Sequence, residues 1–286
     1  MKQLLTLCAL GLFAAPFASA QMDDFLDIYI VRVKPEKRGD YDTFARRIAE
    51  ANRKAKGDNW IAAEVEYGEG NMLYYISTRK NYAAIDAGST AFENAIKEAY
   101  GPGGMKKMQA DMNSAVAGSR SVIRRRRWDL SVNTPKDAEA YSKMVGEARW
   151  LRTIRVVVHP DHQVEFEDVV KQVKAAFEQG GTEWPLFISQ NVAGEPGVVY
   201  YITTLQPSLA AFDSAPTLPK LMGEKAFLKW QKGASETEIT AETTLMRFLP
   251  EQSNPPEAIV NVAPEFWKPK PMATRAKTAE AAKSAQ

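Results

Sequence analysis

Leu73-Tyr74-Tyr75-Ile76-Ser77-Thr78 recurs almost unchanged as Val199-Tyr200-Tyr201-Ile202-Thr203-Thr204. Both stretches are rich in β-branched and aromatic residues, which favours strands. The segments on either side recur in the same order, about 125 residues apart. This period is longer than the roughly 20–50 residues of a solenoid repeat, so the chain is predicted to contain two copies of one domain-sized unit.

Each unit is predicted to have the same order of elements. It begins with an alternating strand that ends before a proline, continues through an amphipathic helix, and enters a second strand at a tryptophan. A glycine-rich turn then leads into the tyrosine strand, which indicates a hairpin. Interrupted helices and a last strand complete the unit. The predicted strands are 25–33, 60–67, the tyrosine strand and 121–128, then 151–158, 184–192, the second tyrosine strand and 243–249. Strand-helix-strand-strand-helix-strand is the ferredoxin-like order.

The two ends of the chain differ from the repeats. Residues 1–20 carry Lys2, an apolar run and Ala18-Ser19-Ala20, a pattern typical of a cleaved signal peptide. The protein is therefore expected to be exported, to the periplasm or the medium, without a transmembrane segment. The first repeat is assigned to 21–128, a linker to 129–148, and the second repeat to 149–250. The Pro-, Ala- and Lys-rich tail, 251–286, is predicted to be disordered and is a candidate for contact with the cell envelope.

Composition excludes several classes of function. The only cysteine, Cys8, lies in the predicted signal peptide, so the mature chain would have no disulfide and no thiolate chemistry. The formal net charge of the whole chain is +2, which gives no broad field for nucleic acid or anionic membrane. Phosphate-binding glycine loops and the nucleophile elbow of serine hydrolases are also missing from the sequence.

A ferredoxin-like unit has helices on one face of its sheet, so the other face must be covered. Two units in one chain can cover each other and form a barrel. In element order and length, the chain resembles the dimeric α/β-barrel superfamily in a fused two-repeat form, an α+β fold with an intrachain pseudo-dimeric barrel. The resemblance covers about residues 25–249 and includes the paired Trp60 and Trp184. It implies a fold and allows cofactor-free monooxygenases, haem-dependent enzymes and proteins of other kinds.

Strand alternation predicts which residues face the barrel cavity. The more polar set of each tyrosine strand is assigned to that cavity, together with an arginine of each first strand. Trp60 and Trp184 are expected to anchor the second strand of each unit to the core, or else to form a wall of the cavity mouth. The candidate ligand-binding residues are Tyr75, Ser77, Tyr201, Thr203, Arg32, Arg155, Trp60, Trp184, Arg125 and Arg247. These side chains suit a small, partly apolar or anionic ligand. The alternative is that the arginines pair with glutamates and the side chains fill the barrel.

The histidines and the arginine run allow narrower hypotheses. His159 and His162 are the only histidines, and they occupy a strand-to-helix turn that carries lysines in the first repeat. A solvent-exposed turn is favoured over a metal or haem ligand, and no metal or cofactor is predicted. Side chains alternate along a strand, so two of the four arginines from Arg124 to Arg127 are expected on each face. They either form an anion site or are solvated and paired with glutamates. No catalytic residue is identified.

Three functions remain open from the sequence. The first is a non-enzymatic binder of a small molecule in the barrel cavity. The second is a cofactor-free monooxygenase or a haem-dependent enzyme, as the resemblance allows. The third is a structural or partner-binding envelope protein whose barrel is full. Nucleic acid is not an expected partner, given the near-neutral charge and the export signal.

Overall fold

A computed structural model describes residues 23–268. The predicted signal peptide and residues 269–286 of the predicted tail lie outside this range. The strands are β1 (Phe25–Val33), β2 (Ile61–Tyr67), β3 (Met72–Arg79), β4 (Val116–Arg126), β5 (Trp150–Val158), β6 (Phe187–Ala193), β7 (Val198–Gln206) and β8 (Glu238–Phe248). The α-helices are α1 (Arg38–Ala55), α2 (Tyr82–Tyr100), α3 (Gly104–Ala115), α4 (Ala138–Glu147), α5 (Gln163–Gln179), α6 (Leu218–Met222), α7 (Glu224–Thr237), α8 (Glu257–Val260) and α9 (Pro264–Trp267).

The eight strands form a closed antiparallel barrel in the order β1-β3-β2-β8-β5-β7-β6-β4. Each half of the chain contributes four consecutive strands, and the halves meet where β2 pairs with β8 and β4 pairs with β6. Closure pairs every strand with a neighbour on both sides over at least part of its length. The predicted α+β class, the barrel and the two hairpins, β2–β3 and β6–β7, are confirmed.

Helices cover the outside of the barrel and apolar side chains fill much of the inside. In the first half, α1 to α3 pack on the outer face through two clusters around Tyr41 and Trp60. In the second half, α5 and α7 cover the outer face around Phe166. The interior cluster includes Ile28, Val122 and Phe248. The sheet therefore has two buried faces, and function depends on which face a strand residue occupies.

The two tyrosine strands differ in register from the match seen in the sequence. Tyr74 pairs with Ile30 and Tyr201 pairs with Arg155, and these four residues face the interior. Tyr74, rather than Tyr75, is therefore the structural equivalent of Tyr201. Because side chains alternate along a strand, this one-residue slip puts Tyr75 on the outer face. The prediction that Tyr75 and Tyr201 share the barrel cavity is corrected.

The last strand of each half is longer than predicted. β4 begins at Val116 and β8 at Glu238, each five residues before the apolar alternation becomes visible in the sequence. The added segments are mostly exposed, and they pair with one neighbour only, β1 or β5. Backbone pairing, rather than burial of apolar side chains, holds them in the sheet, so hydropathy could not reveal them.

The segment after β8 belongs to the folded protein as far as residue 268. A 3₁₀ turn, α8 and α9 follow β8, and α4, α8 and α9 pack on the interior cluster through Val145, Ile259 and Trp267. Trp267 is 1% exposed and its indole N–H donates to the Gly146 carbonyl at 2.9 Å. The expected disorder from residue 251 is thus corrected for 251–268. Within the described residues, no helix combines the length and apolarity that a membrane span needs.

Candidate functional site

An apolar space with polar side chains in its wall lies outside the barrel, between the outer face of the first-half sheet and helices α1 to α3. It has a volume of about 460 Å³. Its apolar walls come from α1, α2, α3 and the entry to β2, with Phe44, Ile48, Trp60, Phe92, Met105 and Met108. Trp60 and Phe92 pack with ring centroids 6.0 Å apart. We call this space the sheet–helix pocket; its size suits a small aromatic molecule.

A chain of hydrogen bonds enters the pocket from the first-half core. The Tyr41 hydroxyl donates to the Tyr75 hydroxyl at 2.9 Å, and Tyr75 donates to the side-chain oxygen of Gln252 at 2.9 Å. Gln252 in turn donates to Asp42 at 2.8 Å. Burial raises the pKa of Tyr41 and raises that of Tyr75 well above the ordinary value. Both hydroxyls therefore stay protonated and act as hydrogen-bonding groups, not as bases.

The polar wall of the pocket is a buried ion cluster. Arg79 donates to both carboxylate oxygens of Asp58 at 2.7 Å and more weakly to Asp27 at 3.2 and 3.3 Å. Two carboxylates against one guanidinium leave this wall with a net formal charge of −1. Gly88 of α2 makes the packing possible, because a Cβ there would lie 2.8 Å from the Arg79 guanidinium carbon.

The equivalent space in the second half is packed shut. Its remaining cavity is about 50 Å³, lined by Phe166, Ile202 and Trp230 among others. In the repeat match, Met105 and Met108 of α3 correspond to Phe227 and Trp230 of α7. Phe227 and Trp230 stack at 5.7 Å, and the Trp230 N–H donates to the Val169 carbonyl of α5 at 3.2 Å. Thioether side chains in place of this aromatic pair leave the first-half space open.

Three predicted site residues line the sheet–helix pocket rather than the barrel cavity. They are Tyr75, Ser77 and Trp60. Ser77 donates to the Asn59 carbonyl at 2.8 Å, and the Trp60 N–H donates to the Gln252 carbonyl at 2.7 Å. Their assignment to a ligand site stays a prediction, now for a different cavity.

Three others face the barrel interior as predicted: Tyr201, Thr203 and Arg155. The interior cavity that includes Thr203 is only about 110 Å³. Tyr201 donates to Glu195, which reaches in from the β6–β7 turn, and Arg155 lies 3.5 Å from the same carboxylate. Burial raises the pKa of Tyr201 to about 12. The interior is thus largely filled, and it cannot hold an aromatic ligand.

The remaining candidates lie elsewhere. Arg32 is exposed and pairs with Glu69, and Arg247 pairs with Glu66 at 2.6 Å. Arg125 is exposed on the outside of β4. Trp184 packs against Phe212 in the second-half core, as its expected role as an anchor predicted. The predicted convergence of these four residues on a common cavity is corrected, because their positions on the barrel point them to different faces.

Neither histidine lines the sheet–helix pocket or the interior cavity. His159 and His162 occupy the turn between β5 and α5, with their rings 5.9 Å apart, as the exposed-turn interpretation predicted. Within residues 23–268, no group of three potential metal ligands occurs. In haem proteins the iron is ligated by a histidine, by a cysteine, by a methionine together with a histidine, or by a tyrosinate. The sheet–helix pocket offers methionines without a histidine and tyrosines that stay protonated, so its residues do not fit haem.

The sequence missed Arg79, Asp58, Tyr41 and Asp27, which form the polar parts of the pocket. Arg79 ends the tyrosine strand on the same face as Tyr75 and Ser77. Strand parity could have grouped these three residues, but their assignment to the interior hid the relation. The Asp58 contact depends on the loop before β2, whose path no local pattern reveals.

Comparison with known proteins gives resemblance in fold. No family model matches the chain, and no curated protein matches it. Solved structures of other proteins match most of the chain at low sequence identity. A putative monooxygenase from Lactobacillus acidophilus is 12% identical over 79% of this chain and 94% of its own, with a TM-score of 0.46. An anthrone oxidase-like protein is 9% identical over 81% of this chain and 93% of its own, with a TM-score of 0.49. A haem-binding protein from Thermus thermophilus is 9% identical over 81% of this chain and 94% of its own, with a TM-score of 0.40.

Proposed function

We propose that the protein binds a small, neutral, largely aromatic molecule in the sheet–helix pocket. The observation that carries this proposal is an open apolar space of about 460 Å³ in one half, where the other half is packed to about 50 Å³. The barrel interior, the site favoured by the sequence, is too small for such a ligand. We also propose that the protein is exported and consists of two ferredoxin-like repeats. In this proposal the ligand binds to the first repeat.

Charge at the pocket wall selects among ligands. The Asp27–Asp58–Arg79 cluster has one uncompensated negative charge, and desolvating an anion beside it is unfavourable. A ligand hydroxyl, by contrast, can donate to a lone pair of a tyrosine hydroxyl oxygen without a charge penalty. The protons of Tyr41 and Tyr75 are already donated to Tyr75 and Gln252. The proposed ligand is therefore an aromatic alcohol rather than an aromatic acid.

A matched pair of ligands tests this proposal. We expect 1-naphthol to bind with a stoichiometry of one per chain in isothermal titration calorimetry, and 1-naphthoate, of similar shape but anionic, to bind at least tenfold more weakly. Equal binding of the two compounds, or no binding of 1-naphthol, would contradict the proposal.

A matched pair of variants identifies the pocket. Met108→Trp copies the second half and fills the space, so it should abolish 1-naphthol binding. Leu228→Trp adds the same ring at an exposed second-half position and should leave binding unchanged. Retained binding in Met108→Trp would place the ligand elsewhere.

A second candidate function is cofactor-free oxygenation of the bound ligand. It is favoured by Asp27, a partly buried carboxylate on the wall of an apolar pocket, which can accept a proton from an activated CH₂ group. The resulting carbanion would reduce O₂, the CH₂ would become C=O, and the second oxygen atom would leave as water. Anthrone oxidase-like and monooxygenase proteins share this fold type. An oxygen electrode with an anthrone as substrate tests the activity: one O₂ consumed per ketone, lost in Asp27→Asn, is the expected result.

A further inference from the structure

The barrel interior contains a buried arginine, Arg124, that makes no close ion pair within residues 23–268. β4 alternates, so Arg124 and Arg126 point inward while Arg125 points outward and is exposed. Arg124 is 7% exposed, and its guanidinium carbon lies 3.3 Å from the centroid of the Tyr201 ring. Stacking of this kind attracts the cation, but it does not neutralise it.

The carboxylate that acts on Arg124 at longer range, Glu195, also pairs with two other arginines. Glu195, whose side chain is fully buried, lies 3.1 Å from Arg120 and 3.5 Å from Arg155. Arg124 makes no ion pair within 4 Å among the described residues, and its buried Nε has no hydrogen-bond partner there. Buried charges in proteins are ordinarily paired, because an isolated one loses its hydration without compensation. Arg120, Arg124 and Arg155 therefore share the negative charge of Glu195, which leaves an excess of positive charge around it.

The space beside Arg124 has mostly apolar walls, and its polar side is positively charged. The interior cavity of about 110 Å³ is lined by two guanidiniums, Arg124 and Arg126, and by no carboxylate. Hydroxyl groups complete the polar lining, from Tyr74, Tyr141, Thr153, Ser189 and Thr203. Arg126 already donates to Tyr141 at 2.6 Å, and Thr153 and Thr203 lie 3.1 Å apart, so these partners are held in place.

Size restricts the anion. Water occupies about 30 Å³ per molecule in the liquid, so the cavity has room for three or four water-sized groups. That is enough for formate, acetate, nitrate or bicarbonate, and too little for an aromatic acid or a sugar acid. A planar oxyanion also matches the forked donors of a guanidinium.

We infer that the barrel interior binds one small oxyanion through Arg124, assisted by Arg126 and the surrounding hydroxyls. The anion supplies the charge that the interior lacks. This site is separate from the sheet–helix pocket: it lies on the opposite face of the sheet, shares no lining residue with the pocket, and selects an anion where the pocket rejects one. Either site can exist without the other.

Thermal unfolding at constant ionic strength tests the inference. Sodium gluconate, whose anion is too large for the cavity, serves as the reference salt, and formate, acetate and nitrate replace it stepwise. A ligand at a hundredfold excess over its Kd should raise the midpoint of the wild-type protein by roughly 5–10 °C, with saturation. Identical midpoints in all four salts would overturn the inference.

Two variants of the same strand locate the site. Arg124→Met keeps a side chain of similar length without the charge, and it should lose the anion-dependent rise. Arg125→Met removes a charge from the exposed face and should keep it. An equal rise in both variants would show general salt effects and overturn the inference.

A crystal structure of the wild-type protein grown in nitrate gives an answer that does not depend on the variants folding. Density for a planar anion against the Arg124 guanidinium is the expected result. Water alone at that position, in saturating nitrate, would refute the site.

Discussion

Replacing Asp27 by Asn should change which ligands the sheet–helix pocket accepts. Asp27 is the weaker partner of Arg79, with a side chain that is 26% exposed, while Asp58 holds the guanidinium by two bonds of 2.7 Å. The substitution therefore keeps the buried pair and removes one negative charge. The net formal charge of the wall goes from −1 to zero.

The size of the effect follows from Coulomb's law. For a ligand carboxylate roughly 7 Å from the excess charge, an effective dielectric constant of about 20 gives a repulsion of about 2.4 kcal/mol. That corresponds to about 50-fold in affinity, and salt at 0.15 M reduces it to about tenfold at a partly exposed site. The affinity of a neutral ligand should stay nearly constant, because no charge interaction is lost.

Calorimetry with 1-naphthol and 1-naphthoate measures both affinities in the same buffer. In Asp27→Asn we expect the preference for 1-naphthol to fall about tenfold, through tighter binding of 1-naphthoate. Asp86→Asn, an exposed position on α2 outside the pocket lining, controls for the change in overall charge. An unchanged preference in Asp27→Asn, or the same shift in Asp86→Asn, would refute the electrostatic argument.

Three further predictions concern stability. Hydrogen bonds from Arg127 hold the pKa of Glu167 at about 2, against an ordinary 4.5. The carboxylate therefore stabilises the fold above pH 4.5, and this contribution is lost as the pH falls through about 2. Glu167→Gln should lower the free energy of unfolding at pH 7 by about 2 kcal/mol and flatten its decline between pH 4.5 and 2, as measured by urea titrations at several pH values. Trp267→Ala should cost about 3–5 kcal/mol by chemical denaturation because the ring is buried among the interior cluster, whereas a free C-terminal tail would give no change. Tyr75→Phe should cost about 1–3 kcal/mol, since the Tyr41 hydroxyl and the Gln252 oxygen both lose a partner, and a value near zero would contradict the hydrogen-bond chain.

The sequence predicted the architecture better than it predicted the site. Duplication of the tyrosine strand, the proline-terminated first strands and the glycine turns are local patterns, and each marks an element that the structure contains. The barrel followed from the physical need to cover the bare face of each sheet. These arguments depend on residues that are close together in the chain.

The site depended on relations that local patterns do not contain. The sequence match aligns Tyr75 with Tyr201, but a one-residue shift between β3 and β7 places the two side chains on opposite faces of the sheet. Tyr75 and Ser77 therefore line the sheet–helix pocket instead of the interior. The pocket itself exists because Met108 stands where the second half has Trp230, and that difference becomes meaningful only when the helices are in place. The volume of the side chain at this position, Met108 in α3 or Trp230 in α7, determines whether the space beneath the helices is open or packed.

The open and the packed halves have a consequence for how the protein can evolve and respond. An assembly of two identical subunits must present every cavity twice, so a mutation that opens one cavity also weakens the other half. Fusion of the two copies removes that symmetry. The packed half can carry the folding stability, with Trp230 locked to α5, while the open half tolerates a hollow core and varies its lining. Occupancy of the pocket should then follow a simple hyperbola with one ligand per chain, without the cooperativity that paired sites permit.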